Sequence, residues 1–296
     1  MAFLRCFHGI LTLFKWHSYI ASTAFKQRQV FIPLFCLTDD RKKYLEEWKK
    51  EFIFVAMKRT VLTTLLLWSL VFLMQIQAQQ TIQGFPQKWV AKTVVSKEEV
   101  QRAGLENCFT AEPLNDSTFK RMQGKSWKKE CTLQRSSLRY LKILHWNAEG
   151  KTQLGEMIVN TKIANRVLRI FRKLYEANYR IERMVLIDDY NGNDILSMED
   201  NNTSAFNYRT IEGRKTLSKH AQGLAIDLNT RYNPYVTRRG VSPSNGKAYA
   251  YRRDTRNDIP YKIDHQDLAY KLFKAEGFSW GGDWRYSKDY QHFEFE

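Results

Sequence analysis

Ser218-Lys219-His220-Ala221-Gln222-Gly223-Leu224-Ala225-Ile226-Asp227-Leu228 decides the fold, because it combines a short strand pattern with two side chains able to bind a metal. As a strand it sends Leu224, Ile226 and Leu228 to one face and Gly223, Ala225 and Asp227 to the other. A carboxylate on a face otherwise lined by glycine and alanine has room beside it for an ion. His220 stands at the mouth of that strand and can reach the same point. Imidazole and carboxylate are ordinary zinc ligands, and a catalytic zinc takes three such groups from the protein while keeping a position open.

The third ligand is expected near the C-terminal end. In Asp289-Tyr290-Gln291-His292-Phe293-Glu294-Phe295, alternation turns Phe293 and Phe295 towards a core and leaves His292 and Glu294 on the opposite face. Strict strand geometry puts Asp289 on the wrong side. If the strand begins near Gln291, Asp289 instead lies in the entering turn and leans over the ion, where a general base is wanted. Asp283, in the turn Trp280-Gly281-Gly282-Asp283-Trp284, competes for that role, but the spacing from Asp289 to His292 favours Asp289. Glu294 either supports a ligand from behind or is a plain strand residue.

Arg209, in Phe206-Asn207-Tyr208-Arg209, is the candidate cation for a developing oxyanion or a substrate carboxylate. The plain alternative is a surface ion pair. Together these residues imply metal-assisted amide hydrolysis, with Asp289 carrying a proton from water to the leaving amine. Neither HExxH nor GxSxG occurs, which argues against a helix-borne zinc site and a nucleophile elbow. Ser218, His220 and Asp227 do not make a serine triad, since one short segment cannot turn Ser218 onto His220.

The S-x-H-x(6)-D element at Ser218, His220 and Asp227, with the acid-x-x-His element at Asp289 and His292, closely resembles the LAS-type zinc peptidases. That family includes the VanX and VanY D-alanyl-D-alanine peptidases and the L-alanyl-D-glutamate endopeptidases of phage lysins. Asp at position 289, where the dipeptidases carry Glu, looks more like the endopeptidase branch. The resemblance covers residues 136–296 and includes the Trp280–Trp284 segment. It implies Zn2+ held by His220, Asp227 and His292, base catalysis by Asp289, and a substrate-facing Arg209. Ser218 then helps hold substrate or orient the site. It also implies an α+β fold, a small antiparallel sheet flanked by helices as in hedgehog and D-Ala-D-Ala peptidases. The implied substrate is the peptidoglycan stem peptide. A non-catalytic zinc-containing binding module of the same fold is the alternative, but such a module has no need of Asp289.

Working outward, Thr161–Ala177 places Ile163, Val167, Ile170, Phe171 and Leu174 at helical spacing, with Arg166, Arg169, Arg172 and Lys173 on other faces as a solvated surface. Leu138–Trp146 reads as a strand and Met184–Ile187 as a short buried one. Ser96–Arg102 reads as a capped helix ending near Gly104, and Asp264–Ala275 as a helix capped by Asp264 and ended by Gly277. His145 is expected to be a satisfied strand residue and His265 exposed. Phe278, Trp280, Trp284 and Tyr286 read as core and site wall. No regular βαβ rhythm appears, so α+β is the natural class.

At the other end, Lys58 and Arg59 followed by an uncharged run from Thr60 to Met74 and the small Ala78 read as an export signal over residues 57–78. A retained membrane anchor is the alternative. Residues 1–56 are then an overlong N-terminal extension, and residues 79–135 a segment of open role ahead of a peptidase domain at 136–296. The formal charge is +16, which invites a nucleic-acid reading. Residues 79–296 keep 36 basic and 26 acidic side chains, a net of +10. Export of that portion to the periplasm or cell surface argues for an anionic wall polymer and against nucleic acid. The protein is expected to be a monomer, meeting a membrane only through an uncleaved signal. Cys108 and Cys131 are the cysteines of residues 79–296, and in an oxidising compartment they most simply pair.

Overall fold

From Thr60 to Met74 no side chain carries charge, and that run lies inside one 44-residue helix, α1 (Asp39–Ile82). The computed structural model describes residues 39–82, 86, 88–211 and 215–296. The chain divides into two units, residues 1–75 and 76–296. Within α1, Glu46–Leu73 is long and apolar enough to cross a membrane by length and composition, and Leu67, Trp68 and Phe72 are exposed on it. The helix runs through Met57 and through Gln75–Ala78 without a break, so the expected signal region is helical throughout. The apolar stretches 3–14 and 30–37, with Cys6 and Cys36, lie outside the described residues.

The second unit begins with α2 (Lys97–Ala103). Its capping box is complete: Ser96 Oγ accepts from Glu99 N at 3.1 Å, and Ser96 N donates to Glu99 Oε2 at 2.6 Å. β1 (Thr110–Pro113) follows, then α3 (Asp116–Met122), capped by Asn115. β2 (Leu138–Trp146) and β3 (Thr152–Asn160) are nine residues each, paired antiparallel from Leu138↔Asn160 to Trp146↔Thr152, with β1 on the other edge of β2. α4 (Ala164–Glu176) lays Val167, Ile170, Phe171 and Leu174 against Leu141, Ile143 and Leu154 to make the main core. Its basic face is solvated, as expected, and ion-paired at its surface. Arg169 grips the Glu276 carboxylate at 2.8 Å and Arg166 donates to the Glu276 carbonyl at 3.0 Å.

Three expectations are corrected here. Met184–Leu186 is buried and extended but pairs in no ladder; the Asn202 side chain takes the place of a neighbouring strand, accepting from Val185 N and donating to Val185 O. The helix expected from Asp264 is α6 (Leu268–Ala275), capped by Asp267, whose Oδ1 accepts from Ala269 N at 2.8 Å. Asp264 instead closes the preceding turn onto Gln266 N and Asp267 N. Cys108 and Cys131 are both free rather than disulfide-bonded. They belong to different apolar clusters, Cys108 with Leu141 and Phe171 and Cys131 against Leu138, Tyr140 and Phe206. Burial pushes the Cys108 thiol up to about 11.

α5 (Asp194–Glu199) precedes the strands that matter for the site. β4 (Ala225–Asp227), β9 (His292–Glu294) and β7 (Ser279–Trp280) form one antiparallel sheet in the order β4-β9-β7. β5 (Tyr235–Thr237), β6 (Gly240–Ser242) and β8 (Lys288–Asp289) form another in the order β6-β5-β8. Mixed helices and small antiparallel sheets make this an α+β unit. Phe273 of α6 stacks on Phe293 of β9 with ring centroids 4.1 Å apart, which fixes β9 against the core.

Candidate metal centre

His220 sits on a 3-10 turn, Lys219–Gln222, rather than on the strand itself. Ser218 Oγ accepts from His220 N at 3.2 Å and caps that turn. Gly223 ends the turn with φ +67°; a Cβ there would lie 2.8 Å from Asn160 N, whose proton goes to Gly223 O. Only glycine admits both the left-handed backbone and that approach. The chain then enters β4, and antiparallel pairing sets Asp227 directly opposite His292.

The three expected ligands converge. His220 Nε2 lies 3.2 Å from Asp227 Oδ2 and 3.1 Å from His292 Nδ1, and His292 Nδ1 lies 3.0 Å from Asp227 Oδ1. One ligand atom from each lies within 4.8 Å of the others, and all three residues are buried. The far ring nitrogens are also engaged. His220 Nδ1 meets the Ala205 carbonyl at 2.6 Å and His292 Nε2 meets Glu294 Oε2 at 3.2 Å. A proton on each far nitrogen serves those acceptors and leaves Nε2 of His220 and Nδ1 of His292 as inward lone pairs. Two lone pairs and a carboxylate facing one another fit a divalent cation.

The electrostatics agree. Burial by itself raises Asp227, but His220 and His292 outweigh it and hold the carboxyl well below its usual range. Burial lowers His292, yet hydrogen bonds to Asp227 and Glu294 and the nearby Asp289 charge push it up to about 10. Both shifts come from one proximity: the imidazoles hold the carboxyl down, and the carboxylates favour a positive charge at this point, either a ring proton or a cation in its place.

Asp289 is placed differently from expectation. It belongs to β8, opposite Tyr235 of β5, instead of to a turn entering β9. Tyr290 and Gln291 separate the two short strands, and this bend brings Asp289 to the centre despite the strand alternation that argued otherwise. Its Oδ1 is buried without a hydrogen-bond partner, and burial pushes its carboxyl up to about 7 against the pull of His292. Asp283 is exposed and bonded to His265 at 2.7 Å. The Gly281–Gly282 turn explains how Asp289 gets so close. A Cβ on Gly281 would lie 2.6 Å from Asp289 O, 2.8 Å from Asp289 Cβ and 3.2 Å from His292 Cβ. Trp280 Nε1 holds the Tyr290 carbonyl at 2.9 Å, and the Trp284 ring lies 5.3 Å from that of His292.

Arg209 meets the site through its backbone: its carbonyl accepts from Ser218 N at 3.0 Å. Its guanidinium pairs with Asp194 of α5, the plain alternative for this residue, while Nε is buried without a partner. His145 is buried with Nδ1 on the Ile181 carbonyl at 2.7 Å, and His265 is exposed. Phe278 and Trp280 are core, Trp284 walls the centre, and Tyr286 is exposed, away from the wall role expected of it. Sequence reading missed the Ala205 carbonyl, which no side-chain pattern could announce, and the tight approach at Gly281. The glycine pair itself was the available signal for the second.

Residues 212–295 match the family model described as D-alanyl-D-alanine carboxypeptidase. That span includes His220, Asp227, Asp289 and His292, and the match supports the resemblance to LAS-type zinc peptidases. No curated protein and no solved structure matches the chain significantly.

Proposed function

We propose that this protein is a zinc metallopeptidase that hydrolyses peptide bonds of peptidoglycan stem peptides, of the D-alanyl-D-alanine carboxypeptidase or L-alanyl-D-glutamate endopeptidase type. One observation carries the reading: His220, Asp227 and His292 converge in a buried, electronegative centre beside a buried carboxylate, Asp289, with an unpartnered oxygen. The family match over residues 212–295 supports the carboxypeptidase-like class. The sheet that bears the ligands is proposed to take a hedgehog- and D-Ala-D-Ala-peptidase-like arrangement.

His220, Asp227 and His292 would hold the ion. When bound, zinc supplies a Lewis acid that polarises the scissile carbonyl and lowers the pKa of water towards about 7. Glu294 and the Ala205 carbonyl keep the two imidazoles in the tautomer that presents a lone pair inward. Asp289 takes the proton of the attacking water and delivers it to the leaving amine. Burial suits it to that exchange, because desolvation raises the proton affinity of the carboxyl above that of an exposed aspartate. Arg209 is proposed as the group that clamps a substrate carboxylate, which requires it to share or leave Asp194. α1 is proposed to carry the chain to the periplasm or cell surface, as a cleaved signal or as an anchor, with residues 136–296 acting as a monomeric peptidase domain.

The test is digestion of purified muropeptides followed by mass spectrometry. The expected result is release of D-alanine or of a stem fragment, lost on chelation and in His220→Ala. Stoichiometric zinc with no product from a range of muropeptides would instead identify a binding module.

A further inference from the structure

Net basic charge gathers in two stretches, residues 117–148 and 231–262, and of these the second pairs with the strand that carries Asp289. Residues 231–262 contain eight Arg or Lys and two Asp, a net of +6 within a +10 total for residues 79–296. Arg256 is paired with Asp258, Lys262 with Asp264, and Arg253 is buried. Arg238, Arg239, Lys247 and Arg252 are exposed, and none has an ion-pair partner among the described residues. Arg238 and Arg239 form the tip of the β5–β6 hairpin. Arg252 has φ +52°, a reversal that separates its exposed side chain from the buried Arg253 beside it.

This segment is fastened to the catalytic strand at two points. Tyr235 of β5 pairs with Asp289, so the hairpin tip stands three residues, roughly 10 Å, along the strand from the neighbour of the proposed base. Arg253 lies over the Tyr290 ring at 4.3 Å and donates to the Tyr232 and Tyr249 carbonyls at 2.8 Å each, locking the remainder of the segment beneath the Asp289–His292 turn. Four cations without an ion-pair partner among the described residues are thereby held on a segment joined to the strand that carries Asp289. Structural ion pairing does not explain them, because they pair with nothing described.

We infer that residues 231–262 are a docking arm for the polymer that carries the scissile peptide, with Arg238, Arg239, Lys247 and Arg252 engaging the free carboxylates of neighbouring stem peptides. This rests on the reading of the site as a peptidoglycan peptidase. A polymer with a carboxylate at each stem offers repeated anions at a distance from the bond being cut, which suits several separate cations better than one pocket. Guanidinium forks match carboxylates, and such exposed pairs weaken with salt.

The full chain and its variant Arg238→Glu/Arg239→Glu/Lys247→Glu/Arg252→Glu are compared in co-sedimentation with purified sacculi and in turnover of a soluble stem-peptide fragment. The variant is expected to bind sacculi about tenfold more weakly, a sum of small exposed contributions, while turnover of the soluble fragment stays within about twofold. The control Lys128→Glu/Lys129→Glu/Lys274→Glu should bind like the unmodified chain. Amidating the sacculus carboxylates should abolish the difference, and added salt should weaken only binding that depends on the arm. Undiminished binding by the fourfold variant, or equal loss in the control, overturns the arm. Loss of binding only when phosphate polymers are stripped from the wall overturns the carboxylate assignment. If the unmodified chain cleaves no soluble fragment, the peptidase reading fails while sedimentation still reports on the arm.

Discussion

The β1-β2-β3 sheet and the β4-β9-β7 sheet are built on different principles. β2 and β3 run nine residues each, share an unbroken register and bury Leu141, Ile143 and Leu154 under α4. The strands that carry Asp227 and His292 are three residues long and could not stand as a ribbon. They are held by what touches them: the Gly223 backbone against Asn160, Phe273 stacked on Phe293, and the bare Gly281 backbone against Asp289. The long sheet supplies stability, and the short one is fixed by the neighbours that pack against it.

If that division holds, polar substitutions in the short strands, β8 included, should change chemistry, and substitutions that empty the apolar core should change stability. The largest effect is expected for Asp289→Asn. Its kcat on a muropeptide should fall about 10²- to 10⁴-fold while bound metal, measured by plasma mass spectrometry, stays at the level of the unmodified chain. Phe273→Ala tests the reverse. Emptying a fully buried ring that supports β9 should cost about 3–5 kcal/mol in denaturant unfolding and lower metal occupancy with it.

The long sheet has its own titration. Burial in β2 lowers His145 to about 4, below its ordinary value of 6.5, although backbone hydrogen bonds pull it up. The unfolded chain therefore binds the extra proton first. Stability is complete above about 6.5, falls as pH drops from there to about 4, and levels off below, a loss of about 3 kcal/mol. His145→Gln should flatten that part of the curve in urea melts at successive pH values without altering metal binding. The smallest effect is expected at Glu294. Glu294→Gln should weaken zinc affinity about 10- to 100-fold by competition with a chelator, leaving the fold intact, because it removes the charge behind His292.

How much of this was legible in the sequence follows the same division. Leu138–Trp146, the α4 core stripe and the Ser96–Glu99 capping box are local patterns, and each forms where its residues indicate. The convergence of His220, Asp227 and His292 was legible because residue type and spacing carry it. What local pattern could not convey were contacts made across the fold. Met184–Leu186 has a strand's composition, yet the Asn202 side chain satisfies Val185 and a single bond from Glu156 N satisfies the Met184 carbonyl. Asp289 lies in a different sheet from His292, although only two residues separate them. Asp264 and Asp267 are both plausible caps on paper, and only the turn between them decides. Two cysteines in one segment suggested a bridge, but they pack into separate clusters.

The central claim is tested most directly by zinc X-ray absorption on the purified full chain, compared with Asp227→Asn. The account predicts about one zinc per chain, with two imidazole nitrogens at roughly 2.0–2.1 Å and light oxygen donors completing the shell, and a marked loss of zinc in the variant. A chain that binds no zinc, or binds it through sulfur, would contradict it.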